Sequence, residues 1–364
     1  MSPDASLRRR RLRRRFALGC LAAFALPGLP LLAEAALRLH LAWRRSASPL
    51  WVERVANPRE RVEKQLAPKG VWEEGQTWHR YKANAALEDE ALGISFHTNS
   101  WGFRGAEFSQ VPSAGVHRIV VLGGSTTVGG PHDLGTWPAV LERALNAEPL
   151  APPWTRVEVL NLAVSGADIE RSHQRVVEEV EQFRPHALLV YEGVNSIRGR
   201  RPYTRWPEWL QAFELHDLLL GRGRDAEVLL ATYGWQLQHL KGIGDWCRER
   251  GVPLYVGTFA IPERKDFSPE EWEFIDLYAR HYYIGRGIDH YIWSLRVWND
   301  FLRVWSRDRR GAPFVLLDLE PELKGPFFLD PCHLDGAGLE KQGLLTARLL
   351  RPHLERAGVL AVGR

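Results

Sequence analysis

From residue 117 onward, five apolar segments alternate with five amphipathic ones, and this alternation limits the fold more than any other feature of the chain. The apolar segments are Arg118–Leu122 (RIVVL), Val157–Leu162 (VEVLNL), Ala187–Tyr191 (ALLVY), Pro253–Thr258 (PLYVGT) and Pro313–Leu317 (PFVLL). Each is a short, near-continuous run rich in Val, Leu and Ile, the pattern of strands buried on both faces. The segments Trp137–Asn146, Asp168–Phe183, Ala226–Arg250, Tyr291–Arg309 and Gly338–Arg356 read as helices. Strictly alternating strands and helices predict a five-stranded parallel sheet covered by helices on both faces. A chain of 364 residues can bury such a core without disulfides. Its three cysteines show no CxxC pairing for a thiolate zinc site, and no metal or other cofactor is expected.

Charge is unevenly distributed. Residues 1–45 hold ten arginines against Asp4 and Glu34, so the body beyond is mildly acidic although the whole chain is +4. Nucleic-acid binding needs basic residues grouped on a folded face, so no nucleic-acid partner is expected. Arg8–Arg11 and Arg13–Arg15 precede the uncharged run Phe16–Ala33. At about 1.5 Å per residue that run narrowly spans a bilayer core as a helix. Arginines on its amino side hold that end in the cytoplasm. The expectation is a single-pass anchor in the inner membrane within residues 1–45, with the body facing the periplasm. Two alternatives also export the body: a signal peptide cleaved near Ala33-Glu34-Ala35, and a twin-arginine signal at Arg13–Phe16. Residues 46–116 are polar and weakly periodic, and read as an extension packing on the domain at 117–364. Within them His97–Gly105 (HTNSWGFRG) reads as a short strand and a glycine turn.

In open parallel sheets the chemistry lies at the carboxyl ends of the strands. After the first predicted strand comes Gly123-Gly124-Ser125-Thr126-Thr127. Two glycines permit a tight turn that exposes Ser125 near a helix amino terminus; the bland reading is that Ser125 only caps that helix. The second strand leads to Asn161–Asp168, with Gly166 placed for close backbone approach, and the third to Glu192-Gly193-Val194-Asn195-Ser196. An ordinary loop glycine and a turn-forming asparagine are the alternatives there. Beyond the fifth strand lies Asp330-Pro331-Cys332-His333. Three residues apart on one turn, Asp330 and His333 share a side, and a carboxylate beside an imidazole prepares a base for a serine hydroxyl. Cys332, adjacent to that base rather than across from it, reads as a packing residue.

In order and placement these four segments resemble the blocks of the SGNH, or GDSL-like, hydrolase superfamily, over about residues 117–350. Gly123–Thr127 is similar to its first block, Asn161–Gly166 to the second, Gly193–Asn195 to the third and Asp330–His333 to its DxxH block. The anchor and the TNSWGFRG stretch resemble membrane-tethered bacterial members. The resemblance implies a flavodoxin-like α/β/α sandwich of three layers. It assigns Ser125 as nucleophile, His333 as base and Asp330 as the residue orienting it. It further implies an oxyanion hole formed by the N–H groups of Ser125 and Gly166 with the Asn195 side chain. Two positions depart from the usual blocks: Gly124 stands where GDS has Asp, and Ser196 where GxND has Asp.

Two long connections leave carboxyl strand ends, at about 196–225 and 261–291, and are expected to cap the site. The first carries Arg198, Arg200, Arg201 and Trp206; the second carries Trp272, Phe274, Tyr278, Tyr282 and Tyr283. As pocket walls they suit a sugar or an anionic acyl compound; the bland alternative is a cap without a substrate role. The expected function is an exported, membrane-tethered serine esterase acting on acylated small molecules, glycans or lipids. An O-acyltransferase with the same triad and a catalytically silent glycan-binding domain are the alternatives.

Overall fold

The computed structural model describes residues 32–56, 80–89, 94–195, 233–281, 287–308 and 311–362. Seven strands are described: β1 (Ala86–Asp89), β2 (Ile94–His97), β3 (Val116–Gly123), β4 (Arg156–Asn161), β5 (Ala187–Tyr191), β6 (Leu254–Gly257) and β7 (Val315–Leu317). β1 and β2 form a separate antiparallel hairpin. The other five make one sheet in the order β4-β3-β5-β6-β7, every neighbouring pair parallel. All five predicted apolar segments are strands of this sheet.

Successive side chains of a strand point to opposite faces, and here each face is covered. Ile119, Val121, Ala187, Leu189, Tyr191 and Tyr255 belong to one core, packed with the helices Trp137–Asn146, Pro269–Ala279 and Gly336–Arg356. Their neighbours Val120, Leu122, Leu188, Val190, Leu254 and Val256 belong to a second core, with the helix Ile169–Glu178 and the helix at 233–250. The helix Ile288–Ser306 contributes to both. The connections leaving β3 and β5 therefore cover opposite faces, and the crevice between these adjacent strands opens at their carboxyl ends.

The 261–291 segment departs from its expected role. Its helix Pro269–Ala279 buries Trp272, Phe274 and Tyr278 in the first core, where Trp51 packs against Phe274 and Tyr278. These aromatics pack within the core; Tyr282 and Tyr283 lie outside the described residues.

The described residues fall in two compact units. One comprises Leu50–Tyr203 with Ala226–Arg364 and holds the sheet. The other is described over residues 32–49; in it, residues 32–47 are helical, with Glu34 and Arg38 paired one turn apart. Among the described residues no helix is long and apolar enough to cross a membrane. The expected transmembrane helix is therefore unsupported: Phe16–Ala33 lies outside the described residues except for its last two positions.

Candidate active site

Ser125 opens a single helical turn, Ser125–Val128, at the end of β3. The two glycines before it are required by close packing. A Cβ on Gly123 would collide with the Thr127 side chain, and one on Gly124 would stand 2.6 Å from Asn195 Nδ2 and 2.9 Å from the Ala167 carbonyl. Any side chain at 124, the Asp of a GDS block included, would displace the Asn195 amide. The departure at Gly124 thus has a local steric reason. The turn holds only four residues, and the next α-helix starts at Trp137, so the macrodipole of a long helix is not aimed at Ser125.

His333 reaches Ser125 from the loop after β7. Its Nε2 lies 2.8 Å from Ser125 Oγ, and its Nδ1 lies 2.7 Å from Asp330 Oδ2. Asp330 is fully buried and His333 nearly so, while Ser125 is half-buried. The backbone N–H groups of Cys332 and His333 both donate to Asp330 Oδ1 at 2.9 Å, so the tight turn itself fixes the carboxylate. An aspartate so placed favours the tautomer with its proton on Nδ1 and leaves Nε2 to accept from the serine. Cys332 is buried in the first core, its Sγ 3.3 Å from Nδ1, at the opposite end of the ring from Ser125. Asp330, Cys332 and His333 are close enough to share a cation, their ligand atoms lying within 4.8 Å of one another.

Of the two oxyanion candidates, the Asn195 amide stands against Gly124, next to Ser125, and Gly166 lies in the loop after β4, two residues before Asp168. Gly166 has φ +78°, a conformation glycine adopts without strain. Asn195 Nδ2 donates to the carbonyl of the next residue, Ala167, at 2.7 Å. Because the same Nδ2 lies over Gly124, the Asn195 amide links the loop after β4 to the nucleophile turn. Arg198, Arg200, Arg201, Trp206 and Ser196 lie outside the described residues.

Three supporting residues escaped the sequence reading. Tyr81 accepts from the Ser165 N–H at 3.0 Å, and with Phe96, Val128, Ala163 and Val164 it forms a third core beneath the site loops. Glu192, buried at the end of β5, accepts from the Ser172 hydroxyl; burial, then the nearby Asp168 charge, raises its carboxyl well above the usual range. Arg104, in the TNSWGFRG stretch, has a fully buried side chain held by Asp133 and three backbone carbonyls. For Tyr81 and Glu192 no local sequence signal exists; for Arg104 the only hint is an arginine within a tight glycine turn.

No family model matches the chain, and no curated protein matches its sequence. Solved structures do. A GDSL-like lipase from Bacteroides thetaiotaomicron is 12% identical, covering 66% of this chain and 88% of its own, at a TM-score of 0.40. A lipase/acylhydrolase from Enterococcus faecalis is 15% identical, covering 68% and 100%, at 0.38. A member of the lipolytic G-D-S-L family from Veillonella parvula is 12% identical, covering 66% and 99%, at 0.39. The chain is similar to these lipolytic proteins, two of which are of the GDSL type.

Proposed function

We propose that this protein is a serine hydrolase of acyl esters, acting through Ser125, His333 and Asp330. The observation that carries this reading is the unbroken hydrogen-bonded line from Asp330 Oδ2 through both nitrogens of His333 to Ser125 Oγ. In the forward step Nε2 accepts the Oγ proton as Oγ bonds to the ester carbonyl carbon. The imidazolium formed is stabilised by Asp330 and returns the proton to the departing alcohol. A water, deprotonated by the same Nε2, then releases the acid. The negative oxygen of each tetrahedral intermediate is received by the N–H groups of Ser125 and Gly166 and by Asn195 Nδ2. Nδ2 carries two protons and gives one to Ala167.

The decisive experiment is turnover of a short-chain aryl ester by the full chain, together with a fluorophosphonate probe and mapping of the labelled residue. Labelling at Ser125 and its loss in Ser125→Ala are expected. Labelling at a different serine overturns the assignment. Adding an alcohol acceptor during turnover separates hydrolysis from acyl transfer, and a panel of O-acetylated glycans and lipid esters defines the acyl compound.

Export and tethering belong to the same proposal and rest on the Arg8–Arg15 cluster ahead of Phe16–Ala33. Alkaline phosphatase fused after residue 60 is expected to be active and membrane-bound. A mature amino terminus near Ala36 would show cleavage instead.

A further inference from the structure

The loop that leaves the Ser125 turn directs its carbonyls onto one side chain. Arg104 Nη1 donates to the carbonyls of Val128 (2.9 Å) and Gly130 (3.0 Å), and Nη2 to that of Ser95 (2.8 Å). Its Nε meets Asp133 Oδ1 at 2.8 Å, and the guanidinium lies 4.7 Å from the Phe96 ring centroid. Between the two held carbonyls, Gly129 donates its N–H to the carbonyl of Ser125 itself at 2.7 Å. The backbone from the nucleophile to residue 130 is thus fastened to Ser125 at one end and to Arg104 at the other. Asp133 extends the fastening: its Oδ2 lies 2.6 Å from His97 Nδ1, and the His97 N–H donates to both carboxylate oxygens at 3.2 Å. The Ser95 N–H adds a bond to the Pro131 carbonyl at 2.9 Å.

We infer that Arg104 is a positioning residue for Ser125. Through the carbonyls of Val128 and Gly130 it sets where the nucleophile stands relative to His333, and it makes the segment preceding the sheet part of the active site. The inference rests on Ser125 being the nucleophile. Its energetic basis is the sensitivity of proton transfer and attack to placement, where an error of about 1 Å costs about 100-fold in rate. No other side chain serves in this position, because a lysine ammonium is a point donor and does not span carbonyls that a planar guanidinium bridges.

The protein supplies its own control. Arg118, near the amino end of β3, is equally buried: Nε meets Glu158 Oε2 at 2.7 Å, and its other nitrogens donate to the carbonyls of Gln110, Phe183 and Ser109. It matches Arg104 in burial and in number of partners but holds no segment next to Ser125. A merely structural arginine at 104 should behave as Arg118 does.

Arg104→Lys and Arg118→Lys are therefore compared in the full chain. Each is measured for thermal midpoint, for kcat and KM on a neutral aryl ester, and for the rate of fluorophosphonate labelling. Expected for Arg104→Lys is a fall in kcat of about 10- to 100-fold, KM within about threefold, and labelling slowed by the same factor as kcat. Arg118→Lys is expected to lower the midpoint comparably with kcat within about twofold. Labelling of Arg104→Lys at the wild-type rate overturns the inference, as does an equal loss of kcat in both variants at equal midpoints. Should Arg104→Lys not fold, Asp133→Asn takes its place, with an expected fall in kcat of about fivefold and unchanged kcat as the overturning result. If the wild type is labelled at a serine other than Ser125, the functional reading fails, and this inference with it. A failure confined to Arg104 leaves that reading standing.

Discussion

Two buried histidines, one at each end of the same sheet, show how differently one side chain behaves in two surroundings. At the carboxyl edge, His333 is gripped at Nδ1 by Asp330 and presents Nε2 to Ser125. At the amino edge, His117 on β3 is equally buried. Neither of its ring nitrogens has a hydrogen-bond partner among the described residues, and the ring lies 5.0 Å from those of His186 and Trp154. Burial, then the neighbouring His186, pushes the His117 pKa down to about 4. A carboxylate fixes one imidazole beside the serine; burial among aromatic and imidazole rings disfavours the charged form of the other. The carboxyl edge concentrates chemistry and the amino edge concentrates packing, as expected for an open parallel sheet.

The comparison breaks most readily at the carboxyl edge. Ser125→Ala should lower kcat by about 10⁴- to 10⁶-fold with an unchanged far-UV spectrum and thermal midpoint. Asp330→Asn removes the group that selects the His333 tautomer and should cost about 10⁴-fold in kcat with KM little changed. A loss below tenfold would mean that the turn backbone, not the carboxylate, orients the ring. Asn195→Ala should cost about 10²- to 10³-fold in kcat, as for removal of one oxyanion donor. A change under threefold would reduce Asn195 to its structural bond with Ala167.

The sheet was legible because buried parallel strands leave a signal along the chain itself. β5 matches its predicted segment at both ends, and so does the helix Trp137–Asn146. The DxxH turn was legible for the same reason, since Asp330 and His333 need only three residues to meet. The helix Pro269–Ala279 begins at a capping box of Ser268 and Glu271 with proline at the first helical position, and no helix was expected there. Its aromatic content pointed to pocket walls; Trp272, Phe274 and Tyr278 are found in the core. Arg104 was illegible because its partners are mostly backbone carbonyls, which every residue type has. His117 and His333 are likewise indistinguishable in sequence apart from the nearby Asp330. What separates them chemically is Asp330 in the same turn and Ser125 after β3 for His333, against the rings of His186 before β5 and Trp154 before β4 for His117.

The smallest effect on catalysis, and the clearest contrast with the carboxyl edge, is expected from His117→Phe. The substitution keeps an aromatic ring against His186 and Trp154 and removes two buried nitrogens that have no partner among the described residues. Activity at neutral pH should stay within about twofold of wild type, because the site touches only the far end of β3. Stability should differ with pH. In the folded protein His117 titrates near 4, against 6.5 for an unhindered histidine, so between these values the unfolded chain binds more protons than the folded one. Folding stability from this group is therefore intact above about pH 6.5 and is lost progressively as pH falls toward 4, by about 3 kcal/mol in all. Urea unfolding at pH 7.5 and 4.5 should show wild type losing more stability than His117→Phe by about that amount. Equal losses would mean that His117 gains a partner or water in solution. A large fall in kcat would mean that the amino edge is coupled to the catalytic one, and the division of labour between the two edges would not hold.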